Sequence, residues 1–269
     1  MNIIKFLDDI SNKEILETKG TRRDSFNQFK KAGKSLALAS IPFALAATSK
    51  KTSAATMSMS SAMFQASATD ILNFALTLEY LERDFYQMGM DTIGLIPNED
   101  KVVFAQILKH EVSHVNFLAT ALGDAAITKP NFDFSGGSLN LDTFSNYQTF
   151  LALSQGFEDT GVRAYKGQAG ALADNDALLE YALQIHSVEA RHASQVRRMR
   201  GEKGWITFNE NTLPAAFSGI YAGEQNTVQG GVNLSGLFNE YGGDAAITEA
   251  FDEPLTMAEV NAIASVFIA

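Results

Sequence analysis

The sequence predicts an all-α protein: a four-helix bundle of two antiparallel hairpins joined by one long crossover, then an irregular C-terminal extension ending in a short helix. Three observations predict it. Apolar residues recur at three-and-four spacing in four segments between residues 69 and 201. The outer two connections are short, about ten residues and a few residues, whereas the middle one runs from Asp124 to Asp142. Each apolar stripe also carries a glutamate near its middle, and two of these glutamates are followed three residues later by a histidine.

Composition bounds the rest. With 269 residues, 46% hydrophobic and 19% charged, the chain has the make-up of a globular protein, long enough for one large domain or two small ones. The absence of cysteine excludes disulfides, thiolate zinc sites, iron–sulfur clusters and cysteine nucleophiles. A net charge of −10 argues against nucleic acid as a partner. Only four histidines are present, so a metal site has to lean on carboxylates.

Residues 1–48 read as an address rather than as part of the fold. Arg22 and Arg23 precede Phe26 and the basic Lys30, Lys31 and Lys34. An uncharged run from Ser35 to Ser49 follows, closing on Ala44-Leu45-Ala46. This order of basic, apolar and small residues is that of an export signal. The arginine pair resembles a twin-arginine signal; the alternative is a surface arginine pair ahead of a buried helix. The apolar run is too short for a membrane helix, which needs roughly 20 residues, so no stable membrane span is expected after signal removal. Cleavage near Ala47 takes away more basic than acidic residues and leaves the mature chain more acidic still. It would then be periplasmic or extracellular. Residues 49–67, rich in Ser, Thr, Ala and Met, read as a flexible linker. Met57, Met59 and Met63 belong to that linker more readily than to a soft-metal site.

The bundle is expected over residues 68–202. A first helix spans about Thr69 to Met90, capped by Ser67 or Thr69, with stripe Leu72, Ala75, Glu79, Glu82, Tyr86. A second starts near Asn98, with Glu99 and Asp100 in its first turn, and stops at Gly123; its stripe is Phe104, Ile107, Glu111, His114, Leu118. A third spans about Asp142 to Gly170, with stripe Leu151, Ser154, Glu158, Val162, Tyr165. A fourth spans about Asp174 to Gly201, with stripe Leu178, Ala182, Ile185, Glu189, His192, Val196, Met199. Residues 203–269 form the extension. In it Thr256 and Glu259 make a capping box for a last helix with Val260, Ile263 and Phe267 inward.

The glutamates carry the chemistry. An unpaired buried carboxylate is costly, so such groups are paired or bound to metal. Glu111 with His114 and Glu189 with His192 each present a carboxylate and an imidazole on one helix face. Glu79 and Glu158 add one carboxylate from each remaining helix. Four glutamates and two histidines in this arrangement form the ligand set of a di-iron or di-manganese carboxylate centre. The halves repeat one motif: Glu79 precedes Tyr86 by seven residues, and Glu158 precedes Tyr165 by seven. Both tyrosines would lie one layer along the core, within hydrogen-bonding reach of the ligands, to orient them or relay electrons. Glu82, whose counterpart in the repeat is Gly161, reads as a rim acid or a support to the ligands. His186 could support them as well. His110 points about 100° from Glu111, towards the surface or a neighbouring helix. The alternative is that these groups face solvent as helical ion pairs.

The segments NFALTLEYLERDFY, HEVSHVNFL, GFEDTGVRAYKGQAG and HSVEARHASQVR resemble the exported, stress- and desiccation-related ferritin-like family over about residues 67–202. The resemblance implies a ferritin-like fold, with Glu79, Glu111, His114, Glu158, Glu189 and His192 as ligands of two iron or two manganese ions. The extension is longer than the short fifth helix of a cage ferritin and argues against that assembly, while leaving another oligomer open.

The expected function is redox chemistry on oxygen, peroxide or Fe(II) in stress protection, ferroxidase-like or manganese-catalase-like. The alternative is a non-enzymatic metal-storage or structural stress-protective protein.

Overall fold

The computed structural model describes residues 66–269. The expected export signal, and the expected linker up to residue 65 with its methionine cluster, lie outside the described residues. The chain is mostly helical, and the four long helices follow the four stripes.

Helix α1 is Ala68–Asp91. Ser67 caps it in a full capping box: the Asp70 amide donates to Ser67 Oγ at 3.1 Å, and the Ser67 amide donates to Asp70 Oδ2 at 3.0 Å. Helix α2 is Lys101–Leu122 and ends at Gly123, whose φ of 54° needs no Cβ. It starts later than the acidic run near Asn98 suggests. Pro97 turns the chain there, its carbonyl accepting from the amides of Asp100 and Lys101. The Asp100 carboxylate is engaged by the Tyr147 hydroxyl at 2.6 Å instead of capping the helix.

Helix α3, Tyr147–Ala169, also begins later than expected. Asp142 closes a turn, its carbonyl accepting from the Ser145 and Asn146 amides and its carboxylate from Asn146 and Thr149. The cap passes to Asn146, which accepts from the Gln148 amide at 3.0 Å. Helix α4, Asp176–Met199, is capped by Asn175 through the Leu178 amide.

Helices α1 and α2 pack as one hairpin and α3 and α4 as the other, with α1 against α3. Ile71 and Leu72 at the start of α1 share a wall with Phe117 and Leu118 late in α2, Gln168 late in α3 and Leu178 early in α4. Residues 123–146 therefore cross the whole length of the bundle. The crossover is pinned at its start by Asn73, which donates to the Ala125 carbonyl and accepts from the Ile127 amide, both at 2.9 Å. Further on, Phe134 inserts beside Phe85, with ring centroids 5.4 Å apart.

The segment after α4 lies along α3. It contains the 3-10 turn Ala215–Tyr221, a small hairpin of β1 (Val228–Gln229) and β2 (Val232–Asn233), helix α5 (Gly243–Thr248) and helix α6 (Met257–Ala264). In the hairpin Val228 faces Asn233 and Gln229 faces Val232; Gly230 and Gly231, both at positive φ, make its two-residue turn. The expected capping box of Thr256 and Glu259 opens α6. Val260, Ala264 and Phe267 are buried, with Ile263 packed beside them. The Leu255 amide donates to the Arg163 carbonyl at 3.1 Å. In consequence every residue of α3 from Phe150 to Tyr165 is buried, on both of its faces. Among the described residues no helix is long and apolar enough to cross a membrane.

Candidate metal centre

Each long helix delivers its mid-stripe glutamate to one place inside the bundle. Glu79, Glu111, Glu158 and Glu189 are fully buried, and His114 and His192 are nearly so. The i, i+3 spacing puts His114 beside Glu111 and His192 beside Glu189, so α2 and α4 supply two groups each, and α1 and α3 one each.

Both imidazoles turn Nδ1 inward. Around His114 Nδ1 lie Glu111 Oε2 at 3.0 Å, Glu79 Oε2 at 3.1 Å and Glu189 Oε1 at 3.1 Å. Around His192 Nδ1 lie Glu111 Oε1 at 3.0 Å, Glu158 Oε2 at 3.2 Å and Glu189 Oε2 at 3.5 Å. One imidazole nitrogen offers one proton or one lone pair, so it cannot satisfy three carboxylates. Glu111 Oε1 and both oxygens of Glu189 are buried with no hydrogen bond, although short distances separate them from nitrogen. Orphaned buried anionic oxygens are expensive unless a cation joins them.

The groups sort into two overlapping sets, Glu79, Glu111, His114 and Glu189 on one side and Glu111, Glu158, Glu189 and His192 on the other. Within each set the ligand atoms lie within 4.8 Å of one another, close enough to hold a metal ion. Glu111 and Glu189 belong to both sets, as carboxylates bridging two ions would.

The electrostatics agree. Burial would lower the His114 pKa, but the adjoining carboxylates of Glu111, Glu189 and Glu79 outweigh it and push it up to about 12. Burial opposes a charged His192 too, and Glu158, Glu111 and Glu189 outweigh it in the same direction. Burial and then the charge of Glu189 push Glu111 up to about 7. Burial also raises Glu79 and Glu158. Burial would raise Glu189 as well, yet the two imidazoles hold it well below the usual carboxylate range. The cluster draws in positive charge, here as protons that a cation can replace.

The tyrosines reach across. The Tyr86 hydroxyl on α1 donates to Glu158 Oε1 on α3 at 2.6 Å, and the Tyr165 hydroxyl on α3 donates to Glu79 Oε1 on α1. Glu82 is buried rather than at a rim. It fills the space left by Gly161, where an added Cβ would lie 3.3 Å from Glu82 Oε1. Burial, then Glu189 and three further glutamates, raise its carboxyl well above the usual range. His110 faces neither solvent alone nor Glu111. Its Nδ1 lies 2.8 Å from His192 Nε2, and its Nε2 contacts Gln106 at 2.6 Å. The contact fixes which nitrogen of His192 points inward. His186 makes no hydrogen bond to the six, and its Nδ1 is buried without a partner.

A second polar layer, on the far face of α3, escapes the stripe reading. Arg197 pairs with Asp159, whose Oδ2 also accepts from the Tyr221 hydroxyl at 2.7 Å. Arg163 pairs with Glu224 at 2.8 Å and donates to the carbonyls of Ile220, Ala222 and Glu253. The signal available in the sequence was the run of polar residues on α3 opposite its stripe, but their partners sit in irregular chain with no period to follow.

A family model for the ferritin-like domain matches residues 67–202, half of the chain, and spans all four long helices and all six residues of the centre. No curated protein matches the sequence.

Proposed function

We propose that this chain, which belongs to the ferritin-like domain family, binds two iron or two manganese ions and carries out redox chemistry on oxygen, peroxide or Fe(II). The observation that carries the reading is the sharing of Glu111 and Glu189 between two ligand sets, with Glu111 Oε1 and both oxygens of Glu189 left without a donor. Four carboxylates with two imidazoles form a hard donor set that suits iron and manganese. Two divalent ions would balance the charge of the four carboxylates. Ions held there would supply the one-electron changes that reaction with oxygen or peroxide requires.

The chain's own residues have definite tasks in this reading. Glu111 and Glu189 would be shared between the two ions, His114 and His192 would each complete one ligand set, and Glu79 and Glu158 would each serve one ion. Tyr165 and Tyr86 fix the rotamers of Glu79 and Glu158 by donating to the oxygen turned away from the imidazole. The aromatic cluster of Phe85, Phe104 and Phe150 excludes water at the Tyr86 end.

The basic, apolar and small-residue order of residues 22–47 supports export, and a stress-protective role outside the cytoplasm follows in this reading. N-terminal sequencing of the protein recovered from the extracytoplasmic fraction tests that part.

The central test is elemental analysis of the purified protein beside its Glu111→Gln variant, with oxygen, peroxide and Fe(II) turnover measured on the same samples. Two equivalents of iron or manganese per chain with turnover are expected, and less than one equivalent in the variant. A variant that keeps both ions sinks the assignment. Two ions without turnover would leave a storage or structural role.

A further inference from the structure

The two ends of the bundle beside the centre are built differently. On the Tyr86 side the core is filled: Phe85 stacks on Phe150 at 4.7 Å between centroids, and Phe104 lies 5.1 Å from Phe150. On the Tyr165 side a cavity of about 20 Å³ lies between all four helices. Its floor sits directly over the ligands. Ala75, Leu118 and Ile185 on its wall each lie four residues, one helical turn, from Glu79, His114 and Glu189. Tyr165, which holds Glu79, forms part of the same wall. At the outer end Tyr181 is 44% exposed and stands against Phe117 at 4.8 Å, so the space reaches the surface there.

The lining says what can use it. Apart from the Tyr165 hydroxyl, already donated to Glu79, Gln168, and the Tyr181 hydroxyl at the exposed outer end, the wall is hydrocarbon and aromatic ring. A metal ion or peroxide entering would give up its water and gain nothing in exchange. A neutral apolar molecule of two or three heavy atoms loses nothing. A space above about 10–15 Å³ admits one water-sized molecule, and apolar cavities stay dry and take up gases such as xenon. We infer that this cavity admits dioxygen and holds it next to Tyr165 and Glu79. The inference rests on the redox reading above and narrows its substrate on this path to the dissolved gas.

The test uses xenon as the probe, with the purified full-length, metal-free protein under xenon pressure. One xenon atom is expected between Ala75, Leu118 and Ala182, followed by crystallography or by xenon NMR. Ala182→Phe, a rim position that touches no ligand of the centre, should abolish that signal. With the metals loaded, the same variant should slow dioxygen uptake about tenfold, keep both ions and leave the peroxide rate unchanged. An empty cavity in the unsubstituted chain overturns the inference, even if Ala182→Phe fails to fold. Equal slowing with both oxidants also overturns it. Metal content is read separately: two ions bound with no xenon removes the cavity, whereas xenon bound with no metal removes the redox centre.

Discussion

Tyr86 and Tyr165 occupy equivalent places in the two hairpins, and each serves the glutamate of the opposite helix. The spacing to a glutamate on the same helix was readable, but the crossing was not, because it depends on α1 facing α3. The six candidate ligands were readable for a simpler reason. A glutamate alone in an apolar stripe is conspicuous, and a histidine three residues on shares its face whatever the helix packs against. His110 lies off that stripe, and only the approach of α4 gives it His192 as a partner. The direction of support has a consequence for affinity. Tyr165→Phe removes the donor to Glu79 Oε1 and frees that carboxylate to rotate. Metal affinity should fall about 10–100-fold, as for other groups that orient ligands from behind, measured by competition with a chelator. Unchanged affinity would show that packing alone orients Glu79.

At the scale of the elements, α3 departs furthest from its stripe. A stripe predicts one buried face, whereas α3 is buried all round from Phe150 to Tyr165 because residues 213–267 cover its outer side. Gly167 marks how close they come: a Cβ there would lie 3.0 Å from the Leu255 carbonyl carbon and would strike its oxygen. The late starts of α2 and α3 have local causes instead, the turns closed by the carbonyls of Pro97 and Asp142. Arg163 fastens the cover, its side chain and that of Glu224 both fully buried. Removing one partner of a buried pair leaves the other charge uncompensated, at about 3–5 kcal/mol. Arg163→Met should therefore lower the urea-unfolding free energy by that order, and adding Glu224→Gln should recover part of it. No recovery would mean that Arg163 acts through its three carbonyl contacts rather than through the carboxylate.

At the scale of the whole molecule, the centre concentrates acidic charge inside a protein that is acidic outside, and pH connects the two. In the metal-free protein Glu111 is pushed up to about 7, by burial first, and His114 up to about 12 by its three carboxylates. Both groups bind protons more tightly in the folded chain than in the unfolded one. Their contribution to metal-free stability is full below the unfolded values. It shrinks as pH rises, for Glu111 through about 7 and for His114 from about 6.5 upward. Glu189 has the opposite sign, but its loss lies far below neutral pH. Between pH 5 and 8 the metal-free protein should thus grow less stable. Metal binding runs the other way, because a cation has to displace those same protons and so binds more tightly as pH rises. A bound ion at about 100 times its Kd adds about 2.7 kcal/mol of stability, so the gap in Tm between loaded and metal-free protein should widen from pH 5 to 8. Thermal unfolding of both forms across that range, with proton release followed on metal addition, checks the sign directly. A constant gap with no protons released would mean that the six residues do not hold the ions, whatever their spacing.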